Sequence, residues 1–524
     1  MRRRLPFLGS QFALSLALTE RNRKWWTVAI MSLTAILAGL DSSGIIVILP
    51  SIGSDLDAST TEVQWVVSIY LLALTAPLVA LGGLADIIGR RKVLLVGIVV
   101  FAAASTLCGL AQSGWWIVGA RALQGVGAAS FSAATLAIVR EAFVPEERGK
   151  AIGLFISLGA VGGVLGPLVG GGITDFLYWR WFFYLATLLT IVAFLLTLAL
   201  VRESRDETAA GHQVDFLGIA SVTVGLSALV LALQESDDLG WRSALVLGSL
   251  VVAVALLTLF VLIEARVRYP LLEFGIFRSR GYLGASIVAF FANFGTAALA
   301  LILALYLQNV LDLSPSVTGV LFMASAVMYT LAGATSGWLE DKLGTRIRMV
   351  VGMAVVSASY GLVSLVSATN GLLLVLAAFA MGGLGHGLAT TASSTAAMAS
   401  VIETKPGVAS GVFSMVRKIS TVLGLVITGV LFDSREDYKL EELITAAGSS
   451  INESDREVIE GMLSGARTTE IKLRGLALVN DPEQAKRVVD EAFVYAMYGS
   501  MLFLAVMSVL GLLASIVVVE KRQS

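Results

Sequence analysis

The sequence predicts an all-α integral membrane protein, and three observations lead to this fold class. Of the 524 residues, 56% are hydrophobic and only 14% are charged, and the mean hydropathy is +0.84. Such a chain cannot cover a water-facing surface in the ordinary way. Apolar runs as long as the ~20 residues that a helix needs to cross a bilayer recur almost end to end, with short charged or Gly/Pro-containing breaks between them.

The apolar runs predict fourteen membrane-spanning helices, and the basic residues predict their orientation. Most Lys and Arg residues fall in the two tails and in the short loops after even-numbered spans, whereas only Arg180 and Arg242 lie in short loops on the other face. We therefore expect a multi-pass protein of the cell (inner or plasma) membrane with both termini in the cytoplasm. The predicted spans are residues 25–50, 62–84, 92–111, 113–139, 149–174, 181–201, 215–235, 242–264, 281–309, 316–339, 347–368, 370–400, 407–432 and 491–519.

Two segments outside the spans have their own patterns. Residues 1–24 superficially resemble a signal peptide, but their apolar stretch is short and no clear small-residue cleavage site follows, so we interpret them as a cytoplasmic tail. Segment 433–490 is expected outside the cell, where short amphipathic patterns at 439–447 and 455–463 indicate surface helices. We expect this segment to form a cap without a catalytic role, and residues 520–524 to be a second cytoplasmic tail.

A ten-residue pattern, G-x-L-x-D-x-x-G-x-R, occurs once in each half of the chain. It lies after span 2 in GGLADIIGRRK and after span 10 in GWLEDKLGTRIR. The glycines permit a tight turn, and the acid can meet helix N-terminal amides or an arginine across the cytoplasmic face. We expect such contacts to hold one conformation shut from inside. The candidate gate residues are Gly82, Asp86, Gly89, Arg90, Arg91, Gly337, Asp341, Gly344 and Arg346.

Three more motifs lie in the first half of the chain. Span 4 contains RALQGVGAAS, with Arg121 and Gln124, and span 1 contains LDSSGIIVILP, with Asp41. In span 5, six positions have the spacing G-x8-G-x3-G-P-x2-G-G. These six are Gly153, Gly162, Gly166, Pro167, Gly170 and Gly171. Small residues at this spacing also serve plain helix packing in membranes.

With these motifs the chain resembles the major facilitator superfamily, and within it the fourteen-spanning drug:proton antiporter family. Span 1 departs from the family's L-D-x-T-V-V-N-V-A-L-P at Ser43 and Ile46. The resemblance implies a major facilitator fold with a 6+2+6 arrangement. Its parts are a first bundle at 25–201, inserted spans 7 and 8 within 202–280, and a second bundle at 281–519 that includes the outer loop. It also implies alternating access by rocking of the bundles, with export of amphipathic small molecules, drugs or lipid-like compounds in exchange for protons.

Two other functions stay open at this point. One is a proton-coupled importer or a facilitator of a metabolite, which the antiporter motif of span 5 disfavours. The other is a non-transporting receptor or scaffold that uses segment 433–490. No phosphate-binding G-x-x-x-x-G-K-[ST] occurs, so ATP is not the expected energy source, and we expect no enzyme activity. The lone Cys108 excludes a Cys-based metal site, we expect no cofactor, and the net charge of −1 gives no basic field for nucleic acid.

Ionisable side chains inside spans are functional candidates, because each costs several kcal/mol, at least ~2.5, to place in a bilayer. Asp41 lies in the middle of span 1, where desolvation favours the neutral acid and a nearby cation favours the carboxylate. We expect it to couple protons, with a structural hydrogen-bonded acid as the alternative. The resemblance makes Arg121 its relay partner, with a fixed charge that braces backbone carbonyls as the alternative.

The second bundle offers different candidates. Arg417, at a family arginine position, is expected to act in structure or gating, with a substrate contact as the alternative, and the adjacent Lys418 must point elsewhere. His386 titrates near neutral pH or is simply a packed polar residue. Because the only acids of spans 9–14 lie at span ends, we expect neutral, zwitterionic or anionic amphiphiles over dications. The candidate cavity residues are Trp65, Tyr70, Gln124, Phe291, Asn293, His386 and Arg417.

Overall fold

The computed structural model describes residues 20–75, 77–205, 215–267, 274–366, 371–400, 406–446 and 482–517. Across these ranges the regular structure is entirely helical, with no strand. The first half contains seven helices: α1 (Glu20–Leu56), α2 (Thr60–Thr75), α3 (Leu78–Ile88), α4 (Arg90–Gly109), α5 (Gly114–Glu141), α6 (Pro145–Phe176) and α7 (Arg180–Leu200). The pair α8 (Phe216–Leu239) and α9 (Ala244–Glu264) follows.

A short 3₁₀-helix (Phe274–Arg278) then leads into the second half. It contains α10 (Arg280–Phe294), α11 (Thr296–Leu305), a π-helical turn (Tyr306–Val310), α12 (Pro315–Ala334), α13 (Ser336–Val363), α14 (Leu372–Ala399), α15 (Pro406–Ala446) and α16 (Pro482–Val517). Within the described ranges, eleven helices are long and apolar enough to cross a membrane, and three shorter apolar helices occur at Thr61–Thr75, Val161–Phe176 and Leu217–Leu233. The count of fourteen spans and the orientation of the termini stay predictions.

The helix boundaries differ from the predicted spans in the region around segment 433–490. Span 13 was expected to end at residue 432, yet α15 runs on as one helix to Ala446, and α16 begins at Pro482 instead of residue 491. Residues 439–446 of the first amphipathic pattern therefore belong to the end of α15. The pattern at 455–463 and the tails 1–19 and 518–524 lie outside the described residues.

The two halves repeat one close helix contact. In the first half, Gly97 of α4 lies against α5. A Cβ built on Gly127 of α5 would lie 2.6 Å from the amide nitrogen of Phe101 of α4. In the second half a Cβ at Gly385 of α14 would be 2.7 Å from the carbonyl oxygen of Gly352 of α13. Small residues let helix backbones approach closely where apolar burial gives no net gain in lipid. The sequence repeat is thus accompanied by a repeat in packing.

The halves meet at the end of the molecule where α1 and α6 finish, which we call the far end. The Gln64 side chain of α2 donates to Asp433 of α15 at 2.8 Å, and Gln308 donates to the carbonyl oxygen of Val47 at 2.8 Å. The Ser316 amide, in the first turn of α12, donates to the carboxylate of Asp175 at 3.0 Å. These bonds join elements of both halves, so the far end is closed in this structure.

Candidate functional site

A buried charge cluster joins α1 to α5. Asp41 and Arg121 are both fully buried, and Nη1 of Arg121 lies 2.7 Å from Oδ2 of Asp41. Gln124, one helical turn after Arg121, donates through Nε2 to the other carboxylate oxygen at 3.0 Å and accepts from Arg121 at 2.6 Å. Both oxygens of Asp41 are thus engaged by α5. The structure brings together two residues that the sequence analysis assigned to proton coupling.

The surroundings hold the Arg121 guanidinium in place on several sides. Its carbon lies 3.9 Å from the centre of the Tyr70 ring, and its Nε donates to the carbonyl oxygen of Val66 at 3.2 Å. The Gln124 amide also donates to Ser105 at 2.8 Å. A buried ion pair is costly to desolvate and stays intact only with such additional hydrogen bonds. Among the described residues, Nη2 of Arg121 is buried without a hydrogen-bond partner, so these contacts leave one nitrogen of the guanidinium unsatisfied.

The same helix α1 packs against the glycines of α6. A Cβ built on Gly162 would lie 2.1 Å from the carbonyl oxygen of Ile36, and one on Gly166 would lie 2.8 Å from the amide of Gly44. A Cβ on Gly170 would lie 2.7 Å from the carbonyl oxygen of Gly44. Three glycines of the six-position motif therefore permit direct backbone contact between α1 and α6.

The far-end part of the motif contacts the other half of the molecule. A Cβ on Gly171 would lie 2.3 Å from the carbonyl oxygen of Pro315, where α12 begins. Reciprocally, a Cβ on Gly319 would lie 2.2 Å from the carbonyl oxygen of Pro167. Helix α6 is thus packed on α1 along one side and on α12 along another. The surroundings of Gly153, the first glycine of the motif, lie outside what the structure describes.

A cavity of about 330 Å³ lies between the two halves. Helices α10 to α14 form most of its wall, and the first half contributes five residues: Ser43, Ile46, Gly163, Val164 and Pro167. Asp41 does not line the cavity, although Ser43 lies only two positions further along α1. Residues two apart on a helix point in nearly opposite directions. Helix α1 therefore presents the charge cluster on one face and the cavity wall on the other.

Of the residues expected at the cavity, His386 lines it. Asn293 lies directly behind, with its Oδ1 3.2 Å from Nε2 of His386. Tyr70 of α2 and Gln124 of α5 belong to the charge cluster instead, because both side chains contact Arg121.

The other three candidates also lie away from the cavity wall. Trp65 is buried in the hydrophobic core, and Phe291 packs at the edge of a core cluster beside Gly511. Arg417 is partly buried, and its Nε has no hydrogen-bond partner among the described residues. Its charge nonetheless acts on His386, so Arg417 contributes to the electrostatic environment of the cavity without lining it.

The two repeated turns share a backbone geometry. Gly89 has φ 120° and Gly344 has φ 71°, values that favour glycine strongly. The arginine two residues later reaches a carbonyl near the end of another helix in each half: Arg91 donates to Leu198 at 2.6 Å, and Arg346 donates to Ile516.

The described contacts of the first turn stay within the first half. Arg90 pairs with Glu141, and its amide donates to the carbonyl oxygen of Ser204 at 2.8 Å. Gly82 has open space where a Cβ would lie. The side chains of Asp86 and Asp341 and the surroundings of Gly337 lie outside what the structure describes.

Sequence reasoning missed one buried acid of the second half. Glu436 is 3% exposed, and its Oε1 has no hydrogen-bond partner in the part of the chain that the structure describes. It was missed because the predicted span ended at residue 432, before Asp433, whereas α15 continues and buries the next turn. The spacing of Asp433, Glu436 and Leu440 along one helix face could have indicated this extension.

Comparison with known proteins identifies the family. Residues 31–425 match the Major Facilitator Superfamily. The chain is 34% identical over 413 residues to a puromycin resistance protein of Streptomyces alboniger, covering 77% of this chain and 81% of that protein. It is 30% identical to the multidrug efflux pump LfrA of Mycolicibacterium smegmatis (78% and 81% covered) and 29% identical to a tetracenomycin C resistance and export protein of Streptomyces glaucescens (79% and 77% covered).

Solved structures share the fold. A bacterial homologue of the human lysosomal transporter Spinster, in an inward-facing unoccupied conformation, superimposes with a TM-score of 0.61 at 18% identity, covering 96% of this chain and 99% of that one. The nucleoside transporter NupG superimposes with a TM-score of 0.62 at 12% identity, covering 94% and 100%. Together with the apolar helices, these matches show that the chain is a multi-pass cell-membrane transporter that belongs to the Major Facilitator Superfamily.

Proposed function

We propose that the chain is a proton-coupled antiporter that exports amphipathic small molecules, either drugs or lipid-like compounds, by alternating access. The relatives named for puromycin resistance, multidrug efflux and tetracenomycin C export support the substrate class and the direction. In this proposal fourteen spans are arranged as 6+2+6, both termini are cytoplasmic, and the closed far end faces outside.

The buried pair of Asp41 and Arg121 is the observation that carries the proposal. Both carboxylate oxygens of Asp41 accept hydrogen bonds from α5, one of them charge-assisted. A proton bound to one oxygen removes the negative charge of Asp41, so the charge-assisted bond to Arg121 weakens. Proton binding at Asp41 therefore loosens the contact between α1 and α5, and proton release restores it.

Helix α1 connects that proton to the cavity. Its opposite face supplies Ser43 and Ile46 to the cavity wall, and its glycine contact with α6 extends to α12 through Pro167 and Gly171. A change in how α1 packs on α5 must move these surfaces, because close-packed backbones leave no room for adjustment by side chains alone. Protonation and substrate binding are then coupled through the helix and need no direct contact.

The driving force is sufficient for export of an uncharged substrate. One proton moving inward gains ~2.3 kcal/mol per 100 mV of membrane potential and ~1.4 kcal/mol per pH unit. One proton per cycle at 100 mV and one pH unit thus supports a substrate gradient of several hundred-fold.

The test uses purified full-length protein in proteoliposomes with an imposed pH gradient. We expect Asp41→Asn to abolish gradient-driven accumulation while substrate exchange across the membrane without a gradient continues, since exchange moves no net proton. The matched control is Asp55→Asn on the same helix, where the carboxylate pairs with Arg180 at 2.6 Å in a partly exposed site. Gradient-driven transport that persists in Asp41→Asn would overturn the proposal, and proton-driven uptake in the direction of proton flow would identify an importer.

A further inference from the structure

Part of the cavity wall is formed by aromatic rings. Four rings line it: Phe322, Tyr329, Tyr360 and Phe379. The rings of Phe322 and Phe379 pack with their centroids 4.5 Å apart and their planes tilted by 50°, and the Tyr329 ring lies 5.1 Å from the imidazole of His386. Aromatic side chains contribute large contact areas and prefer offset or edge contacts with other rings. Such a wall fits a flat ring system better than a flexible chain.

Apart from His386, no acidic or basic side chain is among the residues that line the cavity in the described part of the chain. The nearby carboxylate of Asp41 is paired with Arg121 on the other face of α1, and the charge that acts on His386 is the positive charge of Arg417. A buried ion without a partner is strongly disfavoured. A permanent cation would find no counter-charge here, so the cavity favours an uncharged molecule.

His386 provides one hydrogen-bonding group to this apolar space. The Asn293 amide donates through Nδ2 to the carbonyl oxygen of Ala289 at 2.7 Å, which leaves its Oδ1 as the acceptor for Nε2 of His386. In a neutral imidazole with the proton on Nε2, the other nitrogen, Nδ1, is an acceptor. Among the described residues Nδ1 has no hydrogen-bond partner. It is therefore available to an O–H or N–H group of a ligand.

Several other hydroxyls of the wall already donate to backbone carbonyls. The hydroxyl of Ser359 donates to the carbonyl oxygen of Ala378 at 2.8 Å, and that of Ser43 donates to Gly39 at 2.8 Å. Each hydroxyl thus donates its only proton to a backbone carbonyl oxygen. His386 thus offers a ligand donor an unengaged ring nitrogen, beside the phenol oxygens of Tyr329 and Tyr360 in the same wall.

Gly163 sets the width of the cavity at α6. A Cβ built on it would meet nothing within 4 Å, although a Cβ on the preceding Gly162 would collide with α1. Gly163 lines the cavity. A larger side chain at 163 would therefore project into the space between the halves and leave the contact between α1 and α6 unchanged.

We infer that this cavity binds an uncharged, ring-containing amphiphile with an O–H or N–H group, which His386 recognises and whose size Gly163 limits. The inference rests on the proposed export function, since it names the substrate class of the same transporter. Asp41 does not line this site, which lies on the opposite face of α1.

The test measures binding to full-length protein in lipid nanodiscs, with empty nanodiscs subtracted. The probe is N-phenyl-1-naphthylamine, which is uncharged, aromatic, fluorescent in apolar surroundings and has one N–H. Its N-methyl derivative lacks the donor, and ethidium is a permanent cation. We expect saturable binding of the probe and at least ten-fold weaker binding of ethidium.

Three variants locate the binding. Gly163→Leu should weaken binding of the probe at least ten-fold, whereas Gly172→Leu, also open within 4 Å but away from the cavity, should leave it unchanged. His386→Phe should weaken the probe about five-fold and leave the N-methyl derivative unchanged, because only the probe loses a hydrogen bond. Equal binding of ethidium, or binding insensitive to both Gly163→Leu and His386→Phe, would overturn the inference.

The outcomes separate the inference from the proposed function. If gradient-driven export occurs in vesicles but these variants leave the affinity for the probe unchanged, the cavity assignment is wrong and the export function stands. If the probe binds as expected but no proton-driven export is found, the binding site stands and the antiport function is wrong.

Discussion

Replacement of Gly162 by alanine perturbs the contact between α1 and α6 at its closest point. The added Cβ would lie 2.1 Å from the carbonyl oxygen of Ile36 and 2.7 Å from its Cα, and both are backbone atoms that no rotamer change can move. Ordinary contact begins near 3.4 Å, so the two helices must separate by about 1 Å or more at this turn. Overpacking of this kind typically costs ~1–3 kcal/mol.

The consequence extends beyond stability, because Gly166 and Gly170 continue the same contact towards the far end. A separation at Gly162 tilts α6 relative to α12, and we expect both a lower unfolding temperature in detergent and slower transport in vesicles. Gly172→Ala is the matched control, since its Cβ would meet nothing within 4 Å. If the Gly162 and Gly172 variants unfold at the same temperature and transport at the same rate, the glycines do not act through this backbone contact.

Three further variants test other contacts. Gln64→Leu removes the far-end hydrogen bond to Asp433, and a bond to a charged group is worth ~1.5–3 kcal/mol. Spin labels across the far end should therefore show a roughly ten- to hundred-fold shift of the equilibrium towards separated halves. Unchanged distances between the labels would contradict this expectation. Gly89→Ala forces a φ of 120° on a residue with a Cβ, at a cost of ~1–3 kcal/mol. This variant should transport more slowly than wild type, whereas the control Gly82→Ala should transport normally. Equal transport rates of the two variants would refute a role for the strained turn. The pKa of the Tyr178 phenol is raised, first by burial and then by its hydrogen bond to Asp55. In thermal unfolding scans, the stability difference between wild type and Tyr178→Phe should therefore stay constant up to pH 10.0 and shrink above it. A stability difference that grows above pH 10.0 would contradict the assignment.

The sequence alone predicted the fold class and the special turns well, because their signals are local. Apolar length predicts the spans, and the paired glycines at 89 and 344 do occupy positive φ as a tight turn requires. Asp41 and Arg121 could be recognised one by one, since an ionisable group inside a span is rare. Their direct pairing and the part taken by Gln124 depend on how α1 and α5 are rotated against each other.

The rotation of each helix about its own axis could not be predicted from the sequence. Spans that are apolar all round show little periodicity, so the faces of Tyr70 and Gln124 could not be assigned to the cavity or to the cluster. Helix ends were misjudged for a related reason: charged residues after Asp433 ended the apolar run, yet tertiary contacts bury Glu436 and keep α15 helical to Ala446. Hydropathy records composition, whereas helix length outside the bilayer depends on packing.

Proton release on substrate binding tests the central claim most directly. In weakly buffered detergent solution with a pH-sensitive dye, addition of a transported compound to wild-type protein should release protons, because substrate binding favours the packing of α1 in which Asp41 is ionised and paired with Arg121. Asp41→Asn should bind the same compound and release none. Equal proton release from both proteins would show that another group carries the proton.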